Sequence, residues 1–232
     1  LQSTGLFRVE VETAPQSRMF RSARVRGDAD EASRQSLREY VEQYQTPIRK
    51  ELEVDFNARW QKWNPDFSAY DTVVLNYNGR SWPQAMKDRF VRYVRDGGGV
   101  VLVHATNNAF RVLPEFNEII GLGYNGNRGT ARDECTKIDP NSGDAYQCCE
   151  GTNSGHGSRH PFLVTVRQPD YPVMKDLPPI WRHGRDELYH NLRGPARNMT
   201  ILSSAYSEPS QRGTGHHEPI TMFVRYGKGR VI

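Results

Sequence analysis

Between Tyr70 and Phe110 the spacing of hydrophobic positions changes twice. Residues 71–77 are a short apolar run rich in β-branched side chains, which predicts a buried strand. From Ser81-Trp82-Pro83 onward the period becomes helical, with Met86, Phe90, Val91, Tyr93 and Val94 on one face. Gly97-Gly98-Gly99 ends that helix, and residues 100–103 form a second apolar run leading into His104. Strand, helix and strand in this order predict a βαβ unit, hence a parallel sheet. Ligands of open parallel sheets collect beyond the carboxyl ends of strands. His104, Asn107 and Asn108 stand at one such end, and Asn76, Asn78 and Arg80 at the next.

Weaker patterns surround this unit. Residues 6–11 alternate and predict a strand; residues 28–50 carry Leu37, Tyr40, Val41, Tyr44 and Ile48 on one helical face. A short helix is expected over 114–120. Residues 121–157 form the longest stretch without a period, and such loops are usually functional or disordered. Alternation returns at 161–166, and further strands are expected at 199–203 and 220–226, the last turning through Gly227-Lys228-Gly229. With no repeat and no flexible linker, one domain over 1–232 is expected. The chain begins at Leu1 and stops inside an expected strand, so that domain reads as truncated at both ends.

Composition narrows the partners. The 31 basic and 27 acidic residues are interspersed and give a net charge of +4, without the basic, aromatic-laced stripe of a nucleic-acid binder. No run approaches the roughly 20 apolar residues of a membrane helix. All three cysteines, Cys135, Cys148 and Cys149, fall in the aperiodic stretch. A bridge from Cys135 to Cys148 or Cys149 would imply an oxidising, periplasmic or secreted setting; three reduced thiols are the alternative. A zinc site has no Cys-x-x-Cys pair to rest on.

Three polar groups could carry chemistry: His104, the segment Asp186-Glu187-Leu188-Tyr189, and Gly215-His216-His217-Glu218-Pro219. A carboxylate and an imidazole together can supply a general acid and base. Each group alone also fits a bland reading as a capped turn, a solvated ion pair or a satisfied histidine.

In their order along the chain these motifs resemble the ThuA-like (trehalose utilisation) family. The resemblance rests on Gly97-Gly98-Gly99 leading to His104, on Asp186-Glu187-Leu188-Tyr189, and on His217-Glu218-Pro219 followed by residues 226–231. His160-Pro161-Phe162, Asp170-Tyr171-Pro172 and Leu177-Pro178 add to it, so it spans the whole chain. It implies an α/β, flavodoxin-like fold: a mostly parallel sheet with helices on both faces, akin to class I glutamine amidotransferases. It also implies a role in disaccharide or keto-sugar metabolism. The chain departs from the family pattern in lacking a first strand before Leu1 and a further segment after Ile232, and in a long loop over 125–155. Glutamine hydrolysis is not expected, because no cysteine stands at the strand end where His104 is found.

The expectation is a carbohydrate-processing enzyme, a hydrolase or a relative, working by acid–base chemistry in one His/Glu-lined cleft. His104, Glu187 and His217 are the expected catalytic residues. Asn107, Asp186, Tyr189, His216 and Trp181 are expected to bind substrate, with Trp82 an alternative stacking face. A non-catalytic sugar-binding or scaffold domain is the rival reading. No cofactor is expected; a metal-dependent variant would need three of His104, Glu187, His216 and His217 to converge on one divalent ion. The partner is a small carbohydrate, not nucleic acid or membrane.

Overall fold

The structure is a computed structural model that describes residues 5–15, 28–110, 112–124, 135–148, 153–195 and 197–232. Leu1–Asp66 and Phe67–Ile232 form two compact units.

The first unit is helical. α1 (Glu31–Tyr40) starts at Asp30, whose carboxylate accepts the Ser33 N–H at 2.8 Å. α1 does not stop near Lys50. It widens into a π-helical turn, Val41–Gln45, and continues as α2 (Thr46–Lys62). Pro47 explains the wide turn: its ring lacks an N–H and crowds the carbonyl four residues back. The Thr46 N–H and hydroxyl instead bond the Val41 carbonyl. Residues 6–11 form no strand, since alternation without a partner ladder leaves the backbone groups unpaired.

The second unit opens with the expected βαβ unit. β1 (Thr72–Leu75), α3 (Gln84–Asp96) and β2 (Gly99–Leu102) follow in order, and β1 and β2 pair in parallel from Thr72↔Gly99 to Leu75↔Leu102. Gly97 ends α3 at φ 129°, where its N–H reaches the Val94 carbonyl and that of Gly98 the Tyr93 carbonyl. α4 (Pro114–Ile120) follows the second strand.

Beyond α4 the chain departs from the expected fold. The remaining strands are β3 (Cys135–Ile138), β4 (Ala145–Cys148), β5 (Gly155–His156), β6 (His160–Val166), β7 (Ile180–Asp186), β8 (Tyr189–His190), β9 (Met199–Tyr206), β10 (His217–Tyr226) and β11 (Gly229–Val231). The large sheet runs β1-β2-β11-β10-β9-β6-β7, with β3 beside β10 and β4 beside β3. Among the described residues only β1–β2 and β2–β11 are parallel, and every other pair is antiparallel. The flavodoxin-like expectation of a mostly parallel sheet with helices on both faces is therefore corrected to a mixed, mostly antiparallel sheet. The reason lies in the connections. Parallel neighbours need a long crossover, usually a helix, and no α-helix follows α4 among the described residues. β10 and β11 are instead joined through the tight Gly227-Lys228 turn.

α3 packs on β11 and α4 on β10. Gly229 allows the first contact, because a Cβ there would collide with the Val94 carbonyl oxygen. Phe67, Trp82, Phe90, Phe110 and Phe116 fill the core of this region, with Trp82 and Phe110 centroids 4.7 Å apart. Trp82 is thus a core residue and offers no stacking face for a sugar.

The stretch expected to be aperiodic carries β3, β4 and β5. Cys135 and Cys148 are register partners across β3 and β4, but Cys135 is a reduced, buried thiol whose Sγ bonds the Cys148 carbonyl at 3.0 Å. The expected Cys135 bridge is absent; the side chain points into a polar interior, where it also lies 3.5 Å from Asn191 Oδ1. Cys149 falls outside the described residues. No helix among the described residues is long and apolar enough to cross a membrane.

Candidate functional site

The parallel strand ends place His104. Just past β2, His104–Asn108 forms a 3₁₀ turn anchored by the buried Thr106, whose hydroxyl donates to the Leu75 carbonyl and accepts the Tyr77 N–H, both at 2.9 Å. This clamp joins the ends of β1 and β2. His104 enters the turn with φ 45°, a left-handed conformation that costs a non-glycine residue energy. Asn107, three residues on, has a buried Oδ1 with no hydrogen-bond partner among the described residues.

Tyr189 comes from the far side of the chain. The buried Leu188 turns inward between Glu187 and Tyr189, and the short β8 pairs antiparallel with β5, matching His156 with Tyr189. The His104 and Tyr189 rings stack at 4.3 Å, the Tyr124 ring stands edge-on to Tyr189 at 4.9 Å, and His156 lies 6.1 Å away.

Glu187 sits at the centre of the charges. Arg159 Nε and Nη2 donate to its Oε1 at 3.0 and 2.7 Å, and His156 Nε2 lies 3.7 Å from Oε2. The Arg159 hydrogen bond pulls the Glu187 carboxyl below its ordinary range against the opposing effect of burial, and the charges of His156, Arg159 and His104 add to the pull. Burial, with the negative Glu187 and Asp186 nearby, pushes the Tyr189 phenol up, so it stays protonated and can donate. Asp186 Oδ1 accepts the Glu187 N–H at 2.8 Å and so fixes the turn that presents its neighbour.

Beneath this cluster lies a buried polar network. Lys137 on β3 pairs with Glu218 on β10, both fully buried. Lys137 Nζ donates to Asn191 Oδ1 at 2.7 Å, and Glu218 accepts the Asn191 N–H at 3.2 Å and the Thr214 hydroxyl at 2.6 Å. Asn191, with φ 54°, is thereby locked two residues after Tyr189. The neighbouring His190 is pushed down to about 4, chiefly by burial and then by the Lys137 and His156 charges.

Of the expected site residues, His104, Glu187, Tyr189 and Asp186 meet here. His217 does not contribute to these contacts. It opens β10 in register with Tyr206, lies 3.3 Å from Arg167 Nη2, and is pushed down by burial and the Arg167 charge. His216 Nδ1 meets the Tyr146 hydroxyl at 3.1 Å. Trp181, on β7, packs against the buried cluster of Phe162, Val164, Leu188 and Ala205 and against that of Met174, Leu202 and Phe223. Among the described residues, no three His, Cys, Asp or Glu side chains are grouped to hold a metal ion.

Arg159, Lys137 and Asn191 escaped the sequence reading, and His156 drew notice there only as half of an i,i+4 pair with His160, which Gly155, Gly157 and Pro161 argue against as a zinc site. The register His160↔Asp186 between β6 and β7 brings Arg159 to Glu187, and nothing in local spacing announces that pairing.

The chain has relatives of known structure. The chain belongs to the ThuA family, described by trehalose utilisation, whose sequence model matches residues 20–232. The crystal structure of a protein described as ThuA-like from Parabacteroides merdae is 39% identical, with a TM-score of 0.65, over 73% of this chain. The match covers 61% of that protein, so the chain spans about three fifths of its length. A protein described as ThuA-like from Bacteroides uniformis is 18% identical over 89% of this chain and 77% of its own, with a TM-score of 0.47. No curated protein matches the chain.

Proposed function

We propose that this chain processes a carbohydrate, a disaccharide or keto-sugar derivative, by acid–base chemistry at Glu187, His104 and His156. The observation that carries the reading is the convergence of a charged carboxylate, two imidazoles and a protonated phenol from three separate parts of the chain. Glu187, held in its charged form by Arg159, is available to accept a hydrogen bond from a sugar hydroxyl, or its proton as a weaker base than a free carboxylate. The imidazole of His104 or of His156 supplies the complementary acid or base group. The stacked His104 and Tyr189 rings, edged by Tyr124, offer an aromatic surface for the C–H face of a sugar. His156 takes the place expected for His217. Membership of a trehalose-utilisation family supports the substrate class.

The rival reading, a non-catalytic sugar-binding domain, draws on the same geometry, since Arg159 already engages Glu187. Both are tested by incubating the complete protein with trehalose, other disaccharides and their 3-keto forms, with chromatographic product analysis. Turnover that Glu187→Gln lowers by about 10²- to 10⁴-fold, with binding retained, supports acid–base catalysis. Binding without consumption supports the rival, and neither consumption nor binding sinks both.

A further inference from the structure

We infer that the side chains of Lys137 and Asn191 join in an amide bond, made by the folded chain itself with Glu218 as the proton acceptor. The bond does not depend on the catalytic reading. An intramolecular aminolysis needs an amine, a carboxamide and a base, and here the three meet where water does not reach. Lys137 and Glu218 are 0% exposed and Asn191 is 5%. The fold brings them together from distant places. The register His217↔Ile138 between β10 and β3 sets Glu218 opposite Lys137 one step on. The Thr136 N–H bonds the Leu192 carbonyl at 3.2 Å, which ties β3 to the segment bearing Asn191, 54 positions beyond Lys137.

Each group is oriented for the reaction. Lys137 Nζ donates to Asn191 Oδ1 at 2.7 Å, and the carbon Cγ lies one C=O bond, about 1.2 Å, beyond that oxygen. Nζ is thus within roughly 4 Å of the carbon it attacks, close to the roughly 3–3.5 Å of a near-attack geometry. The Asn191 amide has one orientation only: Lys137 brings donors alone to Oδ1, and Nδ2 donates to the Asn153 carbonyl at 3.1 Å. Glu218 accepts from the same Nζ, and its carboxylate is held by the Thr214 hydroxyl at 2.6 Å and the Asn191 N–H at 3.2 Å. The Cys135 thiol, at 3.5 Å, is a further donor to Oδ1, the oxygen on which negative charge develops.

An ammonium has no lone pair, so the first step passes one Lys137 proton to Glu218. The neutral amine then adds to Cγ; the Nζ–Cγ bond forms, the Cγ–Nδ2 bond breaks, and ammonia leaves. Of the three ammonium protons, one stays on the new amide nitrogen, one departs with the ammonia and one ends on Glu218. No oxidant and no cofactor is consumed. The exchange turns a buried ion pair into a neutral amide and a neutral carboxylic acid, which removes the desolvation cost that such a pair carries. Burial also keeps water, the competing nucleophile, away from Cγ. The product fastens β3 to a residue two positions from Tyr189, and the Lys137–Glu218 ion pair is the unreacted form.

The test is mass spectrometry of the complete protein, incubated folded and without sugar, then denatured. The expected intact mass is that of the sequence less one ammonia. The expected tryptic map holds one branched peptide, residues 186–193 joined to a peptide left uncleaved at Lys137. Glu218→Gln removes the proton acceptor and keeps the side-chain shape; it is expected to lower the bonded fraction at least about tenfold after equal incubation. If that variant does not fold, the wild-type map decides alone. The inference is overturned by an intact mass equal to that of the sequence with Lys137 cleaved, or by loss of ammonia without the branched peptide, which marks a cyclic imide at Asn191. It is overturned equally by Lys137 joined to Glu218, or by Glu218→Gln forming the bond as fast as wild type. Chemical denaturation of Lys137 variants is referred to the unreacted wild-type chain, which the same mass measurement identifies.

Discussion

The imidazole of His104 lies against the ring of Tyr189, centroids 4.3 Å apart and planes 26° from parallel, although 85 positions separate them in sequence. His104 holds this place with a left-handed backbone, φ 45°. An L-residue there bears a steric cost that glycine does not. Both His104→Ala and His104→Gly lose the stacked ring, but only the glycine variant also relieves the backbone. Urea unfolding is expected to find His104→Gly more stable than His104→Ala by about 1 kcal/mol. A His104→Gly variant less stable than His104→Ala, by the ordinary entropic cost of glycine, would mean that the turn is unstrained.

Arg159 is the largest cause of the lowered Glu187 pKa, and the burial that remains after its removal acts in the opposite direction. Arg159→Ala should therefore move the Glu187 carboxyl titration upward, as read by carbon-13 NMR. The acid limb of any Glu187-dependent activity should move to higher pH with it. For stability, a lowered folded pKa means a contribution that is present above the ordinary carboxyl value and lost as pH falls through the folded one. Arg159 is 65% exposed, so solvent screening keeps that contribution small. An unshifted carboxyl resonance in Arg159→Ala would remove Arg159 from its assigned role.

Legibility followed the range of the interactions. The β1–α3–β2 unit could be read because its strands, its helix and Gly97 are specified within thirty consecutive residues or so. His104 followed, as it stands where a parallel strand ends. The sheet's overall character depends on the distant pairings of β6, β9 and β10, which leave no local period. A hint was present: residues 161–166 alternate, as a half-exposed antiparallel strand does, where a buried parallel strand would be continuously apolar. The likeness to the flavodoxin-like fold pointed the other way. Lys137 was hidden for a different reason. It lies among polar, turn-rich residues, and its burial arises only when Glu218 and Asn191 fold over it.

The Lys137–Glu218 pair makes a sharper prediction. Both side chains are fully buried, so each desolvated charge depends on the other and on Asn191 and Thr214. Lys137→Met strands the carboxylate and should cost about 3–5 kcal/mol in chemical denaturation. Adding Glu218→Leu removes the stranded charge and should restore most of that loss. A double variant no better than Lys137→Met would show that the pair holds the fold through packing and not through charge.

His190 sets a pH dependence whose sign can be worked out. Burial and neighbouring positive charge push it from an ordinary 6.5 to about 4 in the folded chain. Between those values the unfolded chain binds a proton that the folded chain refuses. Stability is thus complete above about pH 6.5, falls as pH drops, and levels off below about pH 4, at no more than ~1.4 kcal/mol per pH unit. His217, also pushed down by burial and by Arg167, adds in the same direction. His190→Asn keeps a polar side chain that does not titrate, and should flatten this part of the curve relative to wild type. Unfolding midpoints taken from pH 7 to 4 provide the check. If His190→Asn loses stability over that range as steeply as wild type, the acid sensitivity belongs to other groups, and His190 is protonated in the folded protein after all.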